Sequence, residues 1–179
     1  MAYPPRQFQI GGVYHLINRG VDKRRIFLKN QDYSRFILGL YFFNDKNLEQ
    51  NIWYYLQHED RRSKIGSMLA PSEGANIEHE RNEIVELLAF TLMPNHYHLI
   101  VREVVDGGIS LFMQKMGGYS SYFNKQYNRE GALFQSRYKS VYIKDEIQLG
   151  NVFAYVHTNP VEYVQHLTTS INLTERIMA

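Results

Sequence analysis

Residues 84–102 read Ile-Val-Glu-Leu-Leu-Ala-Phe-Thr-Leu-Met-Pro-Asn-His-Tyr-His-Leu-Ile-Val-Arg, and they carry the clearest structural signal in the chain. A strongly apolar run from Ile84 to Met93 is followed by Pro94-Asn95, a pair typical of turns, and then by a second β-rich run from His96 to Arg102. Two such runs joined by a short turn predict an antiparallel hairpin. We place this hairpin at the centre of the domain.

Strand and helix signals alternate on either side of the hairpin. The predicted elements are a strand over Gly12–Asn18, a helix from Asp32, its cap, to Asn44, the hairpin, a helix capped by Ser110 that runs to about Asn128, a strand over Tyr138–Ile143, and a last helix that starts at Asp145 and stops at Pro160. This order is typical of the ferredoxin-like α+β fold, an antiparallel sheet with helices on one face, here with one added C-terminal helix.

A length of 179 residues suits one domain. We assign residues 1–165 to this domain and residues 166–179 to a C-terminal tail. The stretch from Asp45 to Glu80 is polar and lacks a clear period, so we expect a partly mobile insertion with at most a short helix from Trp53 to His58. The insertion could be a partner surface or a tolerated loop, and no chemistry is assigned to it.

Composition excludes several classes of protein. Apolar residues make up 44% of the chain and charged residues 21%, and the apolar runs are too short to span a bilayer. Because the chain has no cysteine, disulfides and thiolate metal sites are excluded. The N-terminus shows no secretory signal, so we expect a cytoplasmic protein with no membrane partner.

Basic residues are concentrated in two stretches although the net charge is only +2. Either stretch could be an ordinary solvated face or a surface that binds phosphates. The 14 tyrosines favour nucleic acid slightly, because unpaired bases stack on aromatic rings that lie beside basic groups. The two stretches hold Arg19, Lys23, Arg24, Arg25 and Lys29, and then Lys125, Arg129, Arg137, Lys139 and Lys144.

His96 and His98 lie two residues apart on a predicted strand, so both side chains should project from one face of the sheet while Tyr97 points to the other. Two imidazoles on one face can bind one metal ion. The same spacing also arises by chance in a chain this rich in histidine, so on spacing alone a purely structural pair remains the alternative.

Tyr155 and Asn159 lie four residues apart on the last predicted helix, and hence on one face. A tyrosine hydroxyl and an amide oxygen would therefore point the same way, close to the end of the helix. The alternative from this helix alone is a packed tyrosine and an asparagine that caps the helix.

Four blocks of sequence, in order along residues 14–161, carry a resemblance to a known family. They are Tyr14-His-Leu-Ile-Asn-Arg-Gly20, Leu92-Met-Pro-Asn-His-Tyr-His-Leu-Ile-Val101, Gly131-Ala-Leu-Phe-Gln-Ser-Arg-Tyr-Lys-Ser140 and Tyr155-Val-His-Thr-Asn-Pro-Val161. Together they resemble the IS200-like Y1 transposases, which are HUH endonucleases, and within these the REP-associated tyrosine transposases. The long insertion and the sequence that follows Val161 depart from the family pattern.

The resemblance implies a role for each matching residue. His96 and His98 would be metal ligands, Tyr155 the nucleophile, and Asn159 the third ligand, at a position where the insertion-sequence enzymes carry glutamine. The implied activity is metal-dependent cleavage and strand transfer of single-stranded or hairpin DNA through a 5′-phosphotyrosine, with Mg²⁺ or Mn²⁺ as the cofactor. A monomer and a homodimer are both compatible with the sequence.

Phosphate contacts are expected from basic residues that flank the predicted site, namely Arg19, Lys23, Arg24, Arg25, Arg137 and Lys139. No general base is assigned to Tyr155. Two other functions stay open at this point. One is a domesticated protein that binds a DNA or RNA hairpin without cutting it, and the other is a metal-dependent phosphoesterase that activates water.

Overall fold

The computed structural model describes residues 6–46 and 82–159, which fold around a four-stranded antiparallel sheet. The strands are β1 (Val13–Arg19), β2 (Val85–Met93), β3 (His96–Glu103) and β4 (Lys139–Ile143), in the order β2-β3-β1-β4. Strands β2 and β3 form the predicted hairpin around Pro94-Asn95, with Met93 paired to His96. The ferredoxin-like α+β class is confirmed.

Three helices, α1 (Asn30–Phe42), α2 (Gly108–Met116) and α3 (Gly118–Gln126), pack on one face of the sheet. From the sheet this core receives Leu16, Leu99 and Val101, all fully buried. From the helices it receives Phe36 and Phe112, which are at most 2% exposed. Burial of large apolar side chains between one sheet face and the helices is the main stabilising term of such a fold.

The last helix, α4, is described over residues 146–159 and lies on the opposite face of the sheet. There Val156 forms a second buried cluster with Ile100 and Ile143. Because Leu99 and Ile100 are neighbours on β3, their side chains point to opposite faces, and this assigns α4 to the side away from α1, α2 and α3. The sheet thus has helices on both faces.

The helix predicted from Ser110 to Asn128 is in fact two helices, and its start was also misplaced. Gly117 ends α2, where its N–H donates to the carbonyls of Met113 and Gln114, and α3 begins at Gly118. The apolar stripe continues across the break, so periodicity concealed it. Helix α2 starts at Gly108 after the left-handed Gly107, and the carboxylate of Glu103 accepts the N–H of Ile109 at 2.7 Å.

Helix α1 begins at Asn30, two residues before the predicted cap Asp32. Asp32 occupies the third position instead, and its carboxylate accepts the N–H groups of Leu28 and Lys29. The predicted cap of α4 is confirmed, since Asp145 accepts the N–H of Gln148 at 2.7 Å. None of the described helices combines the length and the apolar character needed to cross a membrane.

The expected insertion, with its short helix from Trp53 to His58, lies outside the described residues except for its first two positions. The stop at Pro160 and the tail at residues 166–179 lie outside them as well.

Candidate metal and nucleophile site

Strands β1 and β3 place four polar side chains on the face that α4 covers. Their register pairs Arg19 with His96 and Ile17 with His98, and it pairs His15 with Ile100. Since alternate residues share a face, His15, Arg19, His96 and His98 point to the same side. Tyr97 points the other way, as predicted, and is buried against Phe36.

His98 is 4% exposed, and its two ring nitrogens have different surroundings. Nδ1 lies 2.8 Å from Nε2 of His15, which is itself only 8% exposed. Nε2 of His98 is buried and has no hydrogen-bond partner among the described residues. A buried polar atom without a partner is uncommon and indicates a missing ligand or a functional role.

His96 is half-buried, and its Nδ1 lies 2.7 Å from the side-chain oxygen of Asn95. The other end of the Asn95 amide donates to the backbone carbonyl of Lys23 at 3.2 Å, which fixes the orientation of the amide. Because an amide oxygen can only accept, Nδ1 of His96 carries the proton. Nε2 of a neutral His96 is then an unprotonated nitrogen whose lone pair can coordinate a metal ion.

Burial favours the neutral form of all three histidines of this face by lowering their pKa values. It lowers the pKa of His98 to about 3, with nearby His15 and His96 adding to the effect. Burial also lowers the pKa of His15, and it lowers the pKa of His96 together with the positive charge of Arg19. Neutral imidazole is the form that binds metal ions.

Helix α4 brings Tyr155 against the histidines. The Tyr155 ring lies edge-on to the ring of His98, with centroids 5.3 Å apart, and Tyr155 is 49% exposed. Asn159 lies one helical turn later on the same side, and its side-chain Nδ2 is buried without a hydrogen-bond partner in the described part of the chain. Two unpartnered polar groups therefore occur in the two elements that the sequence associates with one site.

The donor set fits a divalent cation that also binds phosphate. No group of three or more His, Cys, Asp or Glu side chains in the described residues could hold a metal ion by itself. Two imidazole nitrogens and the Asn159 amide are neutral, so the remaining positions would go to water and to anionic oxygens of a substrate. The unpartnered Nε2 of His98 is the observation that supports this fit.

The six basic residues expected to bind phosphate divide into three groups. Arg19 and Lys139 are exposed on the site face, since Lys139 pairs with Ile17. Lys23 and Arg25 are exposed in the loop after β1. Arg24 of the same loop is held by a hydrogen bond from its Nε to the carbonyl of Val21 and by a salt bridge to Asp22 at 3.8 Å. Arg137 lines a cavity of about 440 Å³ on the opposite face, together with Asn18 and Tyr97.

Two residues of the site, His15 and Asn95, were not assigned roles from the sequence. Both lie in the blocks that carry the family resemblance, and Asn95 directly precedes His96. The contact of His15 with His98 depends on the register of β1 against β3. Register between strands distant in sequence is not readable from a single sequence.

Comparisons with known proteins bear on the fold and on the family resemblance. Residues 73–159 match the family model described as "Transposase IS200 like". A solved structure of a REP-associated tyrosine transposase bound to a REP hairpin shares the fold with a TM-score of 0.54, at 16% identity, over 91% of this chain and 74% of that chain. No curated protein sequence matches. The predicted resemblance to the IS200-like transposases is confirmed.

Proposed function

We propose that this chain is a metal-dependent single-stranded-DNA endonuclease and strand transferase that acts on hairpin DNA through a 5′-phosphotyrosine at Tyr155. The observation that carries the proposal is the contact of Tyr155 with His98, whose Nε2 has no partner in the described residues. The family match supports a transposase. The hairpin bound to the similar solved structure supports the class of substrate.

His96, His98 and Asn159 are the residues that would hold Mg²⁺ or Mn²⁺. Of the two ions, Mn²⁺ suits imidazole ligands better. The ion would polarise the scissile phosphate and stabilise the departing 3′ oxygen.

Tyr155 would attack the scissile phosphorus through its hydroxyl oxygen. A bond forms between this oxygen and phosphorus while the bond from phosphorus to the 3′ oxygen breaks. The proton leaves Tyr155, and the 3′ oxygen ends as a hydroxyl. Because one phosphodiester replaces another, the 3′-hydroxyl of the same or another strand can reverse the step without ATP.

The exposed half of Tyr155 leaves room for an extended, unpaired backbone to reach its hydroxyl. Arg19 and Lys139 lie on the same face of the sheet as the histidines and would contact phosphates near the cleavage point. Lys23 and Arg25 would extend that contact along the loop after β1. Arg24 serves partly to hold that loop, and Arg137 would reach only DNA that passes the other side of the sheet.

The test is a covalent adduct. A library of single-stranded hairpins with randomised flanks is labelled at the 3′ end, because the downstream fragment would remain on the enzyme through its 5′ phosphate. With Mn²⁺, a denaturing gel should show labelled protein for the wild type and none for Tyr155→Phe. Tyr142→Phe is the matched control, since Tyr142 is 44% exposed on β4 and should retain the adduct.

Each other outcome would contradict a different part of the proposal. Cleavage by the wild type without an adduct would indicate a hydrolase in which Tyr155 is structural. Binding without cleavage would indicate a hairpin-binding module. An adduct that survives Tyr155→Phe would mean that another residue is the nucleophile. An adduct that forms in excess EDTA would show that the reaction does not need a metal ion.

A further inference from the structure

We infer that His15 and Asn95 are positioning residues that hold His98 and His96 as the Nδ1–H tautomer, with Nε2 of both rings left to bind a metal ion. The inference rests on the proposed metal site and concerns the apo protein before any DNA is bound. Neutral imidazole carries one proton on one of two nitrogens, and only the other nitrogen can coordinate.

For His96 the tautomer follows from a chain of two hydrogen bonds. The Asn95 amide nitrogen donates to the carbonyl of Lys23, so the amide oxygen is the end that faces Nδ1 of His96, at 2.7 Å. That oxygen accepts, so Nδ1 donates. Nε2 is therefore the coordinating nitrogen.

For His98 the partner is another imidazole, and the bond could run in either direction. If His15 donated, Nδ1 of His98 would be the acceptor and the only proton of that ring would sit on Nε2. Without a cation, either tautomer leaves Nε2 of His98 buried and without a partner among the described residues, but a proton on Nε2 would in addition exclude a metal ion from that nitrogen. If His98 donates from Nδ1, its Nε2 is an unprotonated nitrogen, as on His96, and a cation satisfies it.

Packing holds the pair of rings in this arrangement. His15 stacks on His98 with centroids 5.0 Å apart and planes at 26°, and both rings are at least nine-tenths buried. His96 meets His98 edge-on with centroids also 5.0 Å apart. The fixed rings and fixed tautomers together present two nitrogens of the same type on one face.

Asn95 also joins the site to the loop after β1. Its backbone carbonyl accepts the N–H of Gly20 at 2.9 Å, and its side chain holds Lys23, which has the left-handed φ of 59°. Glycine is required at position 20, because a Cβ there would lie 2.3 Å from the carbonyl oxygen of Arg24. The loop expected to meet DNA and the hydrogen bond that orients His96 therefore share one side chain.

The experiment reads the tautomers directly. Protein labelled with ¹⁵N-histidine and free of metal is studied by long-range ¹H–¹⁵N NMR at a pH above the ordinary pKa of histidine. We expect protonated Nδ1 and unprotonated Nε2 on both His96 and His98. Mn²⁺ affinity is then measured by electron paramagnetic resonance on the same samples.

Paired variants separate positioning from packing. His15→Phe keeps a stacked ring but removes the acceptor, whereas His15→Gln keeps an acceptor, and Asn95→Leu and Asn95→Asp form the equivalent pair. We expect the Phe and Leu variants to show mixed tautomers and to bind Mn²⁺ about 10- to 100-fold more weakly. The Gln and Asp variants should recover most of both properties, and the backbone NMR spectrum confirms that each variant is folded.

Two results would overturn the inference: a protonated Nε2 on His98 of the wild type, or a His15→Phe variant with unchanged tautomer and Mn²⁺ affinity. Neither result bears on the proposed DNA reaction, which the covalent-adduct experiment tests. A wild type that binds no Mn²⁺ would instead overturn the metal site and the metal-dependent function with it.

Discussion

At the scale of single residues, Asp32 makes four hydrogen bonds on the face of the sheet that α1, α2 and α3 cover. It is fully buried and accepts hydrogen bonds from the backbone of Leu28 and Lys29 and from the hydroxyls of Tyr122 and Tyr127. Burial alone would raise the pKa of Asp32, but these four hydrogen bonds outweigh it and leave the pKa below its usual value. Asp32 thus ties the end of the loop after β1 and the start of α1 to the end of α3.

We predict that Asp32→Asn lowers the free energy of unfolding at neutral pH by about 2–3 kcal/mol, because an amide cannot accept all four bonds. A carboxyl whose folded pKa is depressed stabilises the fold above its ordinary value of 3.8 and loses that contribution as the pH falls further. The wild type should therefore lose stability more steeply on the acid side than the variant. Urea unfolding at several pH values measures both effects.

Exposed Glu130 provides the control, since Glu130→Gln also removes one carboxylate but should change the unfolding free energy by less than about 0.5 kcal/mol. Equal stabilities for the two variants would contradict the role given to Asp32.

The residues of the site show what a sequence can predict at this scale. The shared face of His96 and His98 follows from the period of a strand and was predicted correctly. The prediction that Tyr155 and Asn159 meet them came from the family resemblance, and the contact of Tyr155 with His98 agrees with it. His15 could not be placed, because its neighbours depend on a register between strands far apart in sequence.

At the scale of elements, the loop after β1 combines exposed charge with a constrained backbone. Asp22 and Lys23 both have positive φ, of 53° and 59°, which residues other than glycine rarely adopt. The N–H groups of Ile26 and Phe27 both donate to the carbonyl of Pro94. The loop is thereby fixed beside the β2–β3 turn, and its exposed cations are held next to the site.

We predict that Arg25→Ala weakens the binding of single-stranded hairpin DNA and reduces the slope of log K against log salt by about 0.7 for each phosphate that the arginine neutralises. Lys125→Ala is the matched control, because Lys125 is exposed on α3, on the other side of the sheet, and should leave the slope unchanged. Fluorescence anisotropy over a series of salt concentrations measures the slopes. Equal slopes for Arg25→Ala and the wild type would show that this loop is not part of the DNA-binding surface.

The elements also show where sequence periodicity fails. Gly117 and Gly118 interrupt a helical stripe whose buried members, Met116, Tyr119 and Phe123, keep their spacing across the break. Periodicity reports which face is buried but not whether the backbone is continuous. Gly108 has a clearer role, because a Cβ there would lie 2.2 Å from the carbonyl oxygen of Ile84, so glycine permits the close packing of α2 against the chain that enters β2.

At the scale of the whole molecule, the sheet separates a large structural core from a small cluster next to Tyr155, the proposed nucleophile. Among the described residues, most buried apolar side chains lie in the core under α1, α2 and α3, whereas α4 packs Val156 on Ile100 and Ile143. Leu149, Val152 and Phe153 of α4 are partly buried beside this cluster. Tyr155 is the neighbour of Val156, so the docking of α4 determines how close the hydroxyl-bearing ring lies to His98. Because this cluster has few fully buried members, we expect α4 to be displaced more easily than α1, α2 or α3.

We predict that Val156→Ala reduces adduct formation several-fold without removing any chemical group that takes part in the reaction. The smaller buried area should cost about 1–2 kcal/mol, and because the second cluster is small, this cost falls on the docking of α4. Amide hydrogen exchange should accelerate in α4 and stay unchanged in β1 and β3. Ile147→Ala on the same helix is the control, since Ile147 is 79% exposed and should change neither measurement. Faster exchange in α4 with an unchanged rate of adduct formation would show that docking does not position Tyr155.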